Sequence, residues 1–373
     1  MTDSIEQLCH ALEGAPVMGN FHSLVPLCLP ADVEVVVKAG ILAEQLDDLA
    51  SHPVRPVIIT SFSPDYTDRF IVWDTSHRPA PEVIDRALPD RLDYARSHLL
   101  THRGVADRII SDACLKSYQA VALLLVDGLG YDDTLEWTEN PEPCFVDGPS
   151  ITFARTPEKE IMPDVGFPAI VGTPPLARRL AETGIPHSRG YSYWDREQND
   201  VSALLFQGVP LTRVSGIAEA LDLLASVKLS GIYLQLVREG LDGLAHRRRE
   251  VTTSEVQATV RAIHNDYRQL VDLLADSGLR GAVYLTADHG ILWKKQHELR
   301  QLDDCRSQHP RYALECPSEE LGLVSQFETS TQTFYLFHYP YLGARIRAND
   351  SGVHGGLSYR ESIVPFVRVE VNL

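Results

Sequence analysis

Across residues 111–373, short unbroken apolar runs alternate with amphipathic stretches. Val121–Val126 (VALLLV) carries no polar position, the pattern of a strand covered on both faces in a parallel sheet. Ser215–Val227 is spaced as a helix, and Gly231–Val237 (GIYLQLV) reads as the next strand. Ser254–Asp276 reads as a long helix, because Val256, Val260, Ile263, Tyr267, Leu270 and Leu274 recur every three or four residues on one face. Its expected N-cap is Thr253 or Ser254, and Gly278 is its expected stop. Ala282–Ala287 (AVYLTA) is a third buried strand, with Thr333–Phe337 and Val364–Val369 as later ones. Strands separated by helices predict an α/β core, a mostly parallel sheet with helices on both faces. In such sheets ligands sit just beyond the carboxyl ends of the strands.

Residues 1–110 have a different texture. They are rich in Pro and His, and Val33–Val37, Val57–Thr60 and Phe70–Trp73 are brief strand-like runs between Pro-containing segments. This reads as an N-terminal accessory region of unknown role, followed by a catalytic domain over 111–373.

Composition narrows the function. Lys and Arg total 34 against 51 Asp and Glu, a net charge of −17, which argues against a general nucleic-acid binder. A pocket for a single phosphate group is not excluded, since bound cations would dominate its field. The first twenty residues lack a basic start followed by an apolar run, and no segment reaches the ~18 apolar residues of a membrane span. Six cysteines lie far apart without C-x-x-C spacing, so they are expected to be reduced thiols and the protein cytoplasmic.

The chemistry gathers at the predicted strand ends. The first strand runs into Asp127-Gly128, the second delivers Asp242-Gly243-Leu244-Ala245-His246, and the third ends at Asp288-His289-Gly290. His354-Gly355-Gly356 precedes the last strand. Each motif alone has a plain alternative, such as a turn for Asp-Gly or an exposed helical pair for Asp242 and His246. Their common position is what raises them together. Six carboxylate and imidazole groups without thiolates suit two divalent transition-metal ions, zinc first and manganese as the alternative. Paired ions ~3.5–4 Å apart clamp the attacking and leaving oxygens of phosphoryl transfer. Pro149-Ser150-Ile151-Thr152 supplies hydroxyls, and a metal-bound Thr152 would serve as nucleophile, although a polar turn is the commoner use of such a segment.

In this order the motifs resemble the alkaline phosphatase superfamily, in particular its nucleotide pyrophosphatase/phosphodiesterase-like and PglZ-domain branches. His354-Gly355-Gly356-Leu357-Ser358-Tyr359-Arg360-Glu361-Ser362-Ile363-Val364-Pro365 is similar to the closing segment of PglZ-type domains. The resemblance spans roughly residues 115–370. It implies an alkaline-phosphatase-like core and a two-metal hydrolase of phosphate esters, either phosphatase or phosphodiesterase, acting on a nucleotide or another small phosphorylated metabolite. It also implies the ligand partition: Asp242, His246 and His354 around one ion, Asp127, Asp288 and His289 around the other, with Thr152 bound beside the second. A sulfatase is disfavoured, because Cys144-Phe145-Val146-Asp147 lacks the C-x-P-x-R pattern. A phosphomutase using the same metals stays open.

One departure bears on the nucleophile. Relatives pass from P-S-x-T to T-G-x-x-P within about ten residues, whereas here Phe153–Val165 intervenes before Gly166–Pro175. Either this segment is an insertion and Thr152 is retained, the preferred reading, or Met162–Pro168 occupies the nucleophile register without a hydroxyl and the enzyme is impaired. The interruption also admits a non-hydrolytic PglZ-like component of a bacterial, phage-defence-type system that binds partners or a nucleotide. Arg155 is the candidate phosphate contact, and Tyr191 with Trp194 the candidate aromatic platform for a base, each against a plainer reading as surface charge or hydrophobic seam.

Overall fold

The computed structural model describes residues 17–29, 35–37, 57–59, 71–75, 77–193, 205–206, 209–227, 229–246, 250–295, 298–302, 307–315 and 321–373. The chain divides into two compact units, Met1–Leu99 and Leu100–Leu373. The helix Val105–Lys116 therefore belongs wholly to the second unit, so the division falls before the expected one after residue 110. Among the described residues, no helix is long and apolar enough to cross a membrane.

The first unit contains a four-stranded parallel sheet. Val17–Phe21 lies between Val57–Ile59 and Ile71–Thr75, and Val35–Val37 pairs outside Val57–Ile59. Three of these strands coincide with the apolar runs read from the sequence.

The second unit is built on an eight-stranded sheet. Across it the strands run Leu100–Thr101, Glu142–Phe145, Ile363–Val371, Gly281–Ala287, Ala120–Asp127, Ile232–Glu239, His187–Ser192 and Leu211–Arg213. Only Ile363–Val371 is antiparallel to its neighbours; the remaining pairs are parallel. Residues 120–126 and 281–287 are buried throughout, which explains their unbroken apolar runs: a central strand with both faces covered has no solvent side to mark with a polar residue. Thr333–Phe337 is also a strand, but it joins a separate three-stranded sheet with Tyr312–Ala313 and Val324–Glu328.

The long helix runs Thr253–Asp276 and buries Val260, Ile263, Tyr267, Leu270 and Leu274. It packs on the Gly281–Ala287 strand and on the Ile217–Ala225 helix. Its N-cap is Thr252 rather than Thr253 or Ser254, because only Thr252 stands three residues before Glu255, and the two form a reciprocal capping box. Val105–Lys116 packs against Phe167–Val171 and Leu176–Glu182.

Candidate metal centre

The register of the central strands sets the site. Glu239 pairs with Asp127, and Ala287 with Val126, so three chain segments leave the sheet at one edge. Asp127 ends its strand, Asp242 opens the short helix Asp242–Ala245, and Asp288-His289 directly follows Ala287. Backbone bonds tie these segments together: Leu129 N–H donates to the His289 carbonyl at 2.7 Å, and Leu241 N–H to the Gly128 carbonyl at 2.7 Å. Gly128 N–H donates to Asp288 Oδ1 at 3.1 Å. Gly128 has φ +79°, and a Cβ there would press on the Asp242 backbone nitrogen, so only glycine admits this approach.

Two overlapping groups have ligand atoms within 4.8 Å of one another: Asp127, Asp288 and His289, and Asp242, His289 and His354. In the first, His289 Nε2 lies 3.5 Å from Asp288 Oδ2 and 3.7 Å from Asp127 Oδ1. In the second, His354 Nε2 lies 3.1 Å from Asp242 Oδ1. His246 joins this side, with Nε2 3.2 Å from Asp242 Oδ1 and 3.5 Å from His354 Nε2. The His289 and His354 rings stack with centroids 3.9 Å apart, so the two groups share a wall. All six residues expected as ligands thus converge.

The donor set fits divalent ions. His289 Nδ1 faces the Gly290 carbonyl at 3.1 Å, and His354 Nδ1 faces the Ser150 carbonyl at 2.9 Å. Each carbonyl accepts the Nδ1 proton, which leaves both Nε2 lone pairs turned toward the carboxylates. Among the described residues, Asp242 Oδ1 and Asp288 Oδ2 are buried without a well-formed hydrogen bond, an arrangement that a cation would satisfy.

The electrostatics agree. Burial, reinforced by the charges of Asp288 and Asp242, raises the Asp127 carboxyl well above its ordinary range. Burial and the charge of Asp242 also push Asp288 up to about 7. At Asp242 burial acts in the same direction, but contacts with His246 and His354 outweigh it and hold this carboxyl low. Burial and the neighbouring His354 charge keep His289 well below the usual imidazole range. Three carboxylates this close repel one another unless protons or cations stand between them.

Thr152 stands at the same cluster, its hydroxyl 3.2 Å from Asp127 Oδ1 and 3.4 Å from His289 Nε2. The segment after it folds back on itself. Arg155 bridges Ile161, Thr156 N–H donates to the Glu160 carbonyl, and Met162 N–H donates to the Ala154 carbonyl. Phe167 N–H then donates to the Thr152 carbonyl at 3.0 Å. Gly166, with φ +63°, makes this return, and a Cβ there would collide with that carbonyl. The inserted residues are thus looped out, and the two halves of the interrupted motif meet. Met162, the start of the rival register, is buried.

The substrate-contact candidates fare differently. Arg155 is exposed, donates to the Lys159 carbonyl at 2.9 Å and lies over the Phe153 ring, so its guanidinium serves the hairpin. Tyr191 is 3% exposed within the main hydrophobic core. Its place on an inner strand of the sheet makes it a packing residue, with no open face to offer a base. Trp194 lies outside the described residues.

Several supporting residues escaped the sequence reading. Arg311 and Glu361 form a fully buried ion pair, with Arg311 Nε 2.9 Å from Glu361 Oε1 and the η nitrogen 2.7 Å from Oε2. Glu361 also accepts from Gly356 N–H at 3.1 Å and from the Ser358 hydroxyl at 2.6 Å, which sets the turn carrying His354. Nothing near Arg311 in sequence marks it, because its partner is fifty residues away. His309 stacks on Tyr312 beside the same turn, and burial together with the His354 charge lowers its imidazole to about 3. Asp350 Oδ1 lies 3.4 Å from His246 Nδ1.

No protein-family model matches the chain, and no curated protein matches it. Among solved structures it is similar to human ectonucleotide pyrophosphatase/phosphodiesterase 5, with TM-score 0.44 and 12% identity over 67% of this chain and 87% of that one. The murine counterpart gives TM-score 0.43 and 12% identity over 66% and 87%. An inactive variant of the murine protein, in complex with AMP, gives 0.43 and 11% over the same shares.

Proposed function

We propose that this chain is a metal-dependent hydrolase of phosphate esters that uses Thr152 as its nucleophile. The observation that carries the reading is the Thr152 hydroxyl, held 3.2 Å from Asp127 Oδ1 and 3.4 Å from His289 Nε2 at the edge of a six-residue carboxylate and imidazole cluster. Asp242, His246 and His354 would hold one ion; Asp127, Asp288 and His289 would hold the other. Two such ions, zinc by the nitrogen and oxygen donors or manganese, would acidify the threonine hydroxyl and neutralise the phosphoryl oxygens.

The chain's own part is positioning. Asp127 fixes the direction of the Thr152 hydroxyl, and Gly166 closes the loop behind it without a side chain. Thr152 Oγ1 then bonds to phosphorus as the ester oxygen departs with its electron pair and takes up a proton. Water cleaves the resulting phosphothreonine, restoring the hydroxyl and releasing the phosphate product. Whether a monoester or a diester is preferred follows from what fills the space around the remaining phosphate oxygens.

The substrate in this proposal is a small phosphorylated metabolite, with nucleotides the first class to test. A purely binding role drew its support from the interrupted Pro149–Thr152 motif; the hairpin that returns Phe167 N–H to the Thr152 carbonyl favours the hydrolytic reading over it. We propose a cytoplasmic location on the scattered, unspaced cysteines, of which Cys28, Cys114 and Cys144 are free thiols. The test is hydrolysis of para-nitrophenyl phosphate and bis-para-nitrophenyl phosphate by zinc- and manganese-loaded protein. Turnover above the metal-free control is expected; none with either substrate or metal would overturn the reading.

A further inference from the structure

We infer that Asp350 is a positioning residue that steadies His246 and so slows ion loss from the His246 side, the more exchangeable half of the metal centre, an inference that rests on the function proposed above. The three imidazoles of the cluster are held from behind in different ways. Backbone carbonyls adjoin Nδ1 of His289 and of His354. His246 alone has a side chain there, the Asp350 carboxylate, with Oδ1 3.4 Å from Nδ1.

Exposure follows the same division. The His246 side chain is 43% exposed, whereas His289 and Asp288 are fully buried. A backbone carbonyl inside a packed turn can hardly withdraw, but a carboxylate on a loop can rotate away. A carboxylate behind an imidazole fixes the ring's tautomer and tilt and raises the basicity of its outward nitrogen.

The loop carrying Asp350 is built to present it. Asp350 N–H donates to the Arg347 carbonyl at 3.1 Å, closing a turn. Ser351 N–H donates at 2.7 Å to the carbonyl of Ala245, the residue next to His246. Gly352–Val353 then pairs with Leu292–Trp293 and leads to His354. Asp350 also lines a cavity of about 420 Å³ with Lys294, Thr252 and Trp293, so the residue borders both this cavity and His246. Loss of the carboxylate therefore leaves the packed core untouched and frees one ligand only.

Metal release tests this directly. Protein loaded with two zinc ions is mixed with excess of a colour-forming chelator, and release is followed for the wild type, Asp350→Ala and Asp350→Asn. Release is expected in two phases. Asp350→Ala should speed the fast phase ~10–100-fold and leave the slow phase and the thermal midpoint of the metal-free protein unchanged. Asp350→Asn keeps an acceptor oxygen and should fall between. Wild-type release kinetics in Asp350→Ala, or equal acceleration of both phases with a lowered midpoint, would overturn the inference alone. A wild type that takes up no zinc would overturn the proposed function and this inference with it.

Discussion

The two sides of the cluster are built by different means. Asp127, Asp288 and His289 are placed by strands: one ends a buried strand and the other two follow the next within a single peptide. Their positions are set by the register of the sheet, and Asp288 and His289 are fully buried. Asp242, His246 and His354 stand instead on a four-residue helix, its C-cap and a glycine turn. Those elements need added polar scaffolding, namely the Arg311–Glu361 pair, the Ser150 carbonyl and Asp350. A ligand at the end of a strand inherits its precision from the core. A ligand on a loop needs partners recruited from far along the chain.

The sharpest way to separate the two sides is to remove the proposed nucleophile from the first. Thr152→Ala should lower kcat by on the order of 10³-fold or more while both ions are retained, measured with para-nitrophenyl esters and by metal analysis. Activity within tenfold of wild type would remove Thr152 from the reaction. On the second side, Glu361→Ala leaves Arg311 buried and uncompensated, and should cost ~3–5 kcal/mol in urea unfolding. The double change Arg311→Met with Glu361→Leu should recover much of that loss. If Glu361→Ala unfolds like wild type, the loop-borne ligands are held by something else.

Acid probes the support behind the strand-borne side. His102 Nδ1 accepts from Asp147 N–H at 2.9 Å and so secures the loop that leads to Thr152. Burial first, and the Arg103 charge second, lower its imidazole from 6.5 to about 4. The folded state thus keeps this ring neutral where the unfolded chain protonates it. Its contribution is complete above pH 6.5, declines as pH falls toward 4, and amounts to ~3 kcal/mol in full. His102→Asn, which offers an amide oxygen to the same N–H, should flatten that part of the stability profile of the metal-free protein. An unchanged slope would mean that His102 does not carry it. At the small end, Arg178→Ala breaks only the exposed Arg178–Glu182 pair at 3.7 Å and should shift stability by less than ~0.5 kcal/mol.

The same division explains what could be read from the sequence. Strand-borne ligand candidates announce themselves, because an unbroken apolar run followed at once by Asp is visible in one dimension: VALLLVD and AVYLTADH each show both the strand and the polar group at its end. The long helix was equally plain from its spacing, with only its first residue displaced by the Thr252–Glu255 capping box. Loop scaffolding leaves no such trace, since Arg311 meets Glu361, and Asp350 meets His246, only after the fold has formed. Tyr191 misleads for a related reason. Within Gly190-Tyr191-Ser192-Tyr193 the aromatics look clustered and accessible, yet the strand carries Tyr191 into the core. The inserted segment was legible as an insertion, but its return to the Thr152 carbonyl depends on Gly166 having no side chain, a condition no local pattern states.

The most direct test of the central claim is an anomalous-scattering crystal structure of zinc-loaded protein collected at the metal edge. Two peaks are predicted ~3.5–4 Å apart, one among Asp127, Asp288 and His289 and the other among Asp242, His246 and His354, with Thr152 Oγ1 beside the first. An absence of peaks, or a single ion bound elsewhere, would contradict the account.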